Sequence, residues 1–289
     1  MQTNFAIIGG SGLEQFEGAK VIDQLDIPTP FGMPSDEILL ADIGGIHTAF
    51  LPRHGKGHRI LPTEVPSRAN IWALKSLGVK AILAISAVGS LHEAYRPGEF
   101  VICDNLIDRS RRRTESFFGE GVVGHVSLAE PFCPSLRACL KKALAQLGHP
   151  FHEKGTVVCM EGPAFSTKAE SLYHQRLAGD LIGMTASPEA KLAREAEICY
   201  ASLAMVTDYD CWHESEEAVS IDMVLQTMQK NITAVRKLIP LVIPLFTEIT
   251  SCSCQSAAQH AIMTPQALIP YEVRRKLKLF YGKYWQGAS

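Results

Sequence analysis

The chain has 289 residues, 46% of them apolar, and a formal net charge of −2. That length and composition suit one large α/β domain or two small ones with a substantial core. The near-neutral charge excludes the strongly basic surfaces of nucleic-acid and membrane-surface binders. The longest apolar run, Leu238 to Phe246, is cut by Pro240 and Pro244 and is too short to cross a bilayer. The N-terminus enters a strand at once, without a basic leader or an apolar signal segment, so a cytoplasmic protein is expected.

In chain order, apolar runs predict strands at 5–8, 38–43, 47–51, 81–86, 100–104, 156–160, 181–184 and 199–206. Helical spacing predicts helices at 68–77, 134–147, 167–177, 188–196 and 221–237. Helix 188–196 carries Ser187 as N-cap, Pro188 at its first position and Glu189 in its first turn. Helix 221–237 places Ile221, Val224, Leu225, Met228, Ile232 and Val235 on one stripe. The segment from Tyr271 to Trp285 reads as a final helix packing on the body or on a neighbour. No repeat or long linker interrupts this alternation.

Polar and glycine-rich motifs stand at the ends of the predicted strands. Gly9-Gly10-Ser11-Gly12 follows the first and is either a tight turn or a small-anion nest. Gln15 occupies the third glycine position of a dinucleotide fingerprint, and no Gly-Lys-Ser/Thr follows, so both common nucleotide loops fail. Arg53-His54-Gly55 is a cation-rich loop or a phosphate fork. Ser86-Ala87-Val88-Gly89-Ser90 ends the strand at 81–86, and Gly183-Met184-Thr185 closes the one at 181–184. Phe165, in Glu161-Gly162-Pro163-Ala164-Phe165, and Met184 are core residues or apolar ligand contacts. In open α/β sheets ligands gather beyond the carboxyl ends of strands, and the convergence of these motifs there favours a site.

Thr207-Asp208-Tyr209-Asp210-Cys211-Trp212 ends the run from Cys199 to Val206. If strand geometry persists, Asp208 and Asp210 point the same way. Such a pair can hold a proton or accept from ring N–H groups; the alternative is an Asp-rich turn capping the next helix. Six of the eight cysteines (Cys103, Cys133, Cys139, Cys159, Cys199, Cys211) are scattered, mostly in apolar stretches, and read as small buried hydrophobes. Cys252 and Cys254 are spaced too tightly for a usual zinc hook, with no matching His or Cys pair elsewhere in the sequence. They read as reduced thiols or as a small strained disulfide. Arg109 to Arg113 reads as a solvated or subunit-bridging loop, or as a phosphate-steering one.

These blocks together resemble the trimeric branch of the purine nucleoside phosphorylases, and within it the 5′-methylthioadenosine phosphorylases. The similarity runs from Phe5 to about Phe246. It is carried by Gly9-Gly10-Ser11-Gly12-Leu13, Thr29-Pro30-Phe31-Gly32, Pro34-Ser35-Asp36, Arg53-His54-Gly55, Ala69-Asn70-Ile71-Trp72-Ala73-Leu74, Ala129-Glu130-Pro131-Phe132-Cys133-Pro134, Glu161-Gly162-Pro163, Gly183-Met184-Thr185 and Thr207 to Trp212. The resemblance implies a single-domain α/β phosphorylase fold over 1–250, with a central mixed β-sheet flanked by helices. A C-terminal extension, 251–289, would pack on the same domain or on a neighbouring subunit.

The resemblance also implies roles. Ser11, Arg53, His54, Ser86, Ala87 and Thr185 would bind phosphate. Met184 would lie against the ribose and Phe165 on the purine. Asp208 would donate to N7 as general acid and Asp210 would meet the 6-amino group; relatives acting on 6-oxopurines place Asn where Asp208 stands. Ile221, Val224 and Leu225 would line a pocket for the 5′-methylthio group, and His125 would reach the site of a neighbouring subunit. The expected assembly is a homotrimer or a dimer of trimers. The expected reaction yields adenine and 5-methylthioribose 1-phosphate, with phosphate as cosubstrate and no metal or organic cofactor. A broader purine nucleoside phosphorylase and a non-catalytic nucleoside-binding subunit are the rival readings. The chain departs from the family at Val65-Pro66-Ser67-Arg68, where Val-Asn-Tyr is usual, at Ser11 for Thr and at Val88 for Cys. Cys252-Ser253-Cys254 resembles an element that forms a disulfide in heat-stable relatives.

Overall fold

A computed structural model describes residues 2–10, 13–15, 18–213, 221–249 and 251–285; of 221–225 it describes the backbone alone. Strands β1 (Phe5–Gly9), β2 (Ala19–Leu25), β3 (Ile38–Ile43) and β4 (Ile46–Pro52) lead into helix α1 (Ser67–Ser76). Strands β5 (Ala81–Ser90), β6 (Phe100–Ile102) and β7 (Asn105–Asp108) precede helix α2 (Pro134–Leu147). Then come β8 (Phe151–His152), β9 (Thr156–Cys159), helix α3 (Lys168–Arg176), β10 (Leu181–Gly183), helix α4 (Ala186–Glu195) and β11 (Cys199–Asp208). Helices α5 (Ile221–Thr247) and α6 (Tyr271–Tyr281) complete the order. The expected mixed sheet flanked by helices is present.

The described strands form one sheet, with β2-β3-β4-β1-β5-β10-β9-β7 as its main path. Its centre is β5, which pairs parallel with β1 and β11 and, at its last residues Gly89 and Ser90, antiparallel with β10. The sheet therefore divides at the carboxyl end of β5, with β11 on one branch and β10 on the other. Side chains alternate across this frame as strand geometry requires. Ala6 and Ile8 of β1 and Ile82 and Ala84 of β5 join a core with residues of α1, α4 and α6. Phe5 and Ile7, with Leu83 and Ile85, join a second core with residues of α2 and α5. A sheet covered on both faces explains why the central strands read as unbroken apolar runs.

Three strands escape the sequence reading. Strand β2 lies at the end of the sheet path, half exposed, and its register with β3 shifts between Val21 and Asp23. Its polar residues therefore conceal any clean alternation. The run 100–104 shortens to β6, β7 follows just beyond it and joins a different partner, and β8 has only two residues. Helix α5 continues beyond 237 through Pro240 and Pro244. An internal proline removes a backbone hydrogen bond and crowds the preceding turn. Here Leu238, Ile239, Val242, Ile243 and Phe246 bury an apolar face that outweighs that cost.

The C-terminal segment packs on its own chain. Val273, Leu277, Phe280 and Tyr281 enter the same core as β1 and β5. The Tyr281 hydroxyl donates to the Glu195 carbonyl, and the Ala258 N–H donates to the Glu197 carboxylate. No helix among the described residues is long and apolar enough to cross a membrane.

Candidate active site

Strand geometry does not persist as far as Asp210. Strand β11 ends at Asp208, its register with β5 slips between Val206 and Asp208, and Asp210 takes φ +53° to open a short 3-10 turn ending at Trp212. A turn brings the two acids together instead: the Asp210 N–H donates to Asp208 Oδ1 at 2.8 Å. The pair thus meets through a turn rather than along one strand face. Burial, and after it the charge of Asp210, push the Asp208 carboxyl above its usual range, against hydrogen bonds from Thr207 and the Asp210 N–H.

The Thr207 hydroxyl donates to Asp208 Oδ2 at 2.7 Å and also lies 3.1 Å from the Val88 carbonyl. When Asp208 gains a proton, that hydroxyl can turn to Val88 and accept from the carboxyl. The site therefore accommodates both protonation states of the acid. Asp210 Oδ2 is buried and has no hydrogen-bond partner among the described residues.

Gly89 makes the close approach possible. A Cβ there would meet Ile182 Cγ2 at 2.9 Å, Asp208 Oδ1 at 3.1 Å and Asp210 Cβ at 3.4 Å. The Ser86-Ala87-Val88-Gly89-Ser90 motif thus leaves room for the carboxylate as well as offering polar groups. Ser86, on the same strand, lies Oγ to Oγ1 at 2.9 Å from Thr185, which precedes helix α4. One hydroxyl donates to the other, so the pair keeps one O–H for a ligand. Ala87 between them is exposed.

Arg53 is neither a solvated loop residue nor a free fork. It is buried, and its Nε and Nη2 embrace the Glu189 carboxylate, while Nη1 donates to the Ile85 carbonyl and Nη2 to the Ile8 carbonyl. Four of the five guanidinium N–H groups are engaged, which leaves one on Nη1 among the described bonds. Tyr200 donates to the same carboxylate at 3.0 Å. Arg53 thus ties the carboxyl ends of β4, β1 and β5 to helix α4.

His54, next in sequence, places Nδ1 2.9 Å from the Ile60 carbonyl. A carbonyl only accepts, so Nδ1 carries the proton and Nε2 remains. Burial, with Arg53 and the stacked His58 ring, lowers the imidazole pKa against the pull of that carbonyl. A neutral ring with Nε2 free to accept from a protonated oxyanion results.

Across the site, Met184 lies half-buried over Gly162, whose φ is +69° and whose added Cβ would fall 2.6 Å from the Met184 sulfur. Phe165 is 85% exposed, which overturns its core reading and leaves its ring free to stack. The loop that carries it reaches the aspartate turn, since the Cys211 thiol donates to the Ser166 carbonyl. His125 is exposed, and its backbone N–H donates to the Ala261 carbonyl. None of its described bonds reaches the groups above. Ser11 and the side chains of Ile221, Val224 and Leu225 lie outside the described residues.

The sequence reading missed three positioning residues. Glu189 carried only a helix-start signal. Gly89 was read as part of a small-residue strand end. Arg113 was taken with a solvated or bridging basic loop, yet its side chain is buried and donates to the carbonyls of Met160, Glu161, Met184 and Ser187. It clamps the end of β9 to the residue that follows β10. Its basic neighbours concealed that difference in the sequence.

The family model described as Phosphorylase superfamily matches residues 4–243. The chain belongs to the phosphorylase superfamily. Within it, the chain is 47% identical over 285 residues to the S-methyl-5′-thioadenosine phosphorylase of Geobacter sulfurreducens, covering 98% of this chain and 100% of that one. It is 49% identical over 290 residues to the enzyme of the same name from Cereibacter sphaeroides, covering 99% and 100%. Among solved members, a methylthioadenosine phosphorylase from an antarctic soil metagenomic library superposes with a TM-score of 0.93 at 45% identity, over 96% of this chain and 99% of that one. The Schistosoma mansoni methylthioadenosine phosphorylase in complex with adenine gives 0.84 at 37%, over 92% and 100%.

Proposed function

We propose that this phosphorylase uses inorganic phosphate to cleave the N-glycosidic bond of 5′-methylthioadenosine, giving adenine and 5-methylthioribose 1-phosphate. The observation that carries this reading is the Asp208–Asp210 turn: a carboxyl pushed above its usual range beside a buried carboxylate oxygen that has no partner among the described residues. A departing purine gains negative charge and needs a proton at N7, which a protonated Asp208 supplies. The free Asp210 oxygen accepts from a 6-amino N–H and repels a 6-oxo group. The S-methyl-5′-thioadenosine phosphorylases described above support the choice of nucleoside.

Phosphate sits at the opposite wall, held by Ser86, Thr185, the backbone at Ala87, the Nε2 of His54 and the remaining N–H and charge of Arg53, with Ser11 completing the set. It stabilises the oxocarbenium character that develops at C1′ and then attacks there. Met184 lies against the ribose, Phe165 covers the base, and Ile221, Val224 and Leu225 receive the methylthio group. No metal or organic cofactor enters this chemistry. The working assembly is a homotrimer or a dimer of trimers of a cytoplasmic salvage enzyme. Residues 1–250 form its phosphorylase domain and 251–289 its extension. The exposed His125, beside the exposed and mutually hydrogen-bonded Val123 and Met263, supports a contact with a second copy.

Phosphate-dependent base release from methylthioadenosine, adenosine, methylthioinosine and inosine, run side by side, tests the reading. Methylthioadenosine should exceed adenosine, and both should far exceed the two 6-oxopurines. Release from inosine within about tenfold of adenosine would overturn the base-side assignment, since ~1.4 kcal/mol is too little for an unpaired buried carboxylate.

A further inference from the structure

Four cysteines remote in sequence meet at the end of β11 opposite the active site. Their sulfurs, those of Cys133, Cys199, Cys252 and Cys254, all lie within 4.8 Å of one another. Cys199 is the first residue of β11. Cys133 caps helix α2, and its N–H donates to the Tyr200 carbonyl at 2.7 Å, which seats it beside that strand. Cys252 and Cys254 stand at the start of a short 3-10 turn in the C-terminal extension. Cys133 and Cys252 approach to 3.5 Å, sulfur to sulfur. The sequence reading set a metal aside because Cys252 and Cys254 had no partner pair. The fold supplies one in Cys133 and Cys199.

We propose that these four cysteines form a tetrathiolate site for one thiophilic divalent cation, Zn2+ in kind, that fastens the C-terminal extension to the sheet. A tetrahedral Zn2+ with bonds of about 2.3 Å to sulfur sets its ligands about 3.8 Å apart, within reach of the present cluster. The close Cys-x-Cys spacing is no obstacle, because sulfur positions rather than sequence spacing decide the fit. Each sulfur binds as thiolate, so cation entry releases the remaining thiol protons to solvent and leaves two net negative charges. Two features oppose that charge. Cys133 sits at the positive end of helix α2. The Arg194 guanidinium donates to the Cys254 sulfur at 3.5 Å.

Three of the four residues are buried and Cys252 is half-buried, which gives the cation an entry side and a dry interior. Four thiolates close the coordination sphere, as in structural rather than catalytic centres. Asp208 lies at the far end of the same strand, about 30 Å away at 3.3 Å per residue. The site therefore holds the fold without touching the chemistry.

The test uses full-length protein purified anaerobically with reductant and without chelator. Elemental analysis should find about one Zn2+ per chain, and Co2+ substitution should give the intense visible bands of tetrahedral thiolate cobalt. Chelation should lower the melting temperature, and added Zn2+ should restore it. Cys252→Ser, at the half-exposed ligand, should lose the cobalt bands and the response to Zn2+ while keeping kcat/KM for the nucleoside. Reduced protein, titrating all eight thiols on denaturation, that takes up less than about a tenth of an equivalent of Co2+ would overturn the site. So would Co2+ bound with unchanged bands by Cys252→Ser. Disulfides among these cysteines that resist reduction in the folded protein would also overturn it.

Discussion

Arg53 and Glu189 form a buried, two-pronged ion pair that joins the strand ends at one wall of the candidate site to helix α4. Removing one partner leaves the other charge buried and uncompensated. Arg53→Ala should therefore cost roughly 3–5 kcal/mol of stability, well beyond the loss of one phosphate contact. Urea denaturation checks this. A variant as stable as the parent, with only its phosphate KM raised, would show that the pair does not hold the wall.

Gly89→Ala should damage catalysis more than folding. The new methyl falls 3.1 Å from Asp208 Oδ1 and 2.9 Å from Ile182, so the carboxylate or β10 must move. Overpacking of this kind costs about 1–3 kcal/mol of stability. If Asp208 is the proposed general acid, its displacement forfeits much of a ~10²–10⁴-fold contribution. Steady-state kinetics on folded protein, beside Asp208→Asn as the limiting case, measures the loss; a kcat within about twofold of the parent contradicts the steric reading.

Thr207→Val should alter the pH profile rather than the fold. Burial raises the Asp208 carboxyl, and the Thr207 hydrogen bond is the first influence holding it down. Without that bond the acid keeps its proton to higher pH. The alkaline limb of kcat/KM for methylthioadenosine should move upward. A downward shift would assign another group to that limb.

Glu195 carries a pH dependence of stability. Burial pushes its carboxyl from 4.5 up to about 7, despite donors from Phe117 and Ser116. Between those values the folded chain keeps a proton that the unfolded chain has lost, so stability falls as pH rises through that window and the full cost remains above it. Glu195→Gln should remove that slope, its advantage over the parent growing by up to roughly 3 kcal/mol from about pH 5 to about pH 8. Denaturation midpoints at the two pH values decide it.

The central strands and most helices were legible because a sheet covered on both faces needs unbroken apolar runs, and covering helices need stripes. The motifs at the strand ends were legible for the same reason: β1, β4, β5 and β11 are parallel, so their carboxyl ends lie together. What escaped depended on long-range contact. Nothing near Glu189 in sequence announces Arg53, and nothing near Cys252 announces Cys133 and Cys199. The local rule that two strand residues share a face gave the meeting of Asp208 and Asp210 by a geometry the chain abandons at Asp208. Pro240 and Pro244 predict a break by local rules, yet packing along α5 overrides them.

Helix α6 is built after every described strand of the sheet and packs among the first of them. Until Leu277, Phe280 and Tyr281 leave the ribosome, the core shared by β1, β5 and α4 stays open along one side. From its first strands until residue 281 is made, the nascent enzyme thus carries an apolar groove, the kind of surface that invites chaperones and misassociation. A ribosome stalled before residue 271 would present a product with its sheet formed and its flank exposed.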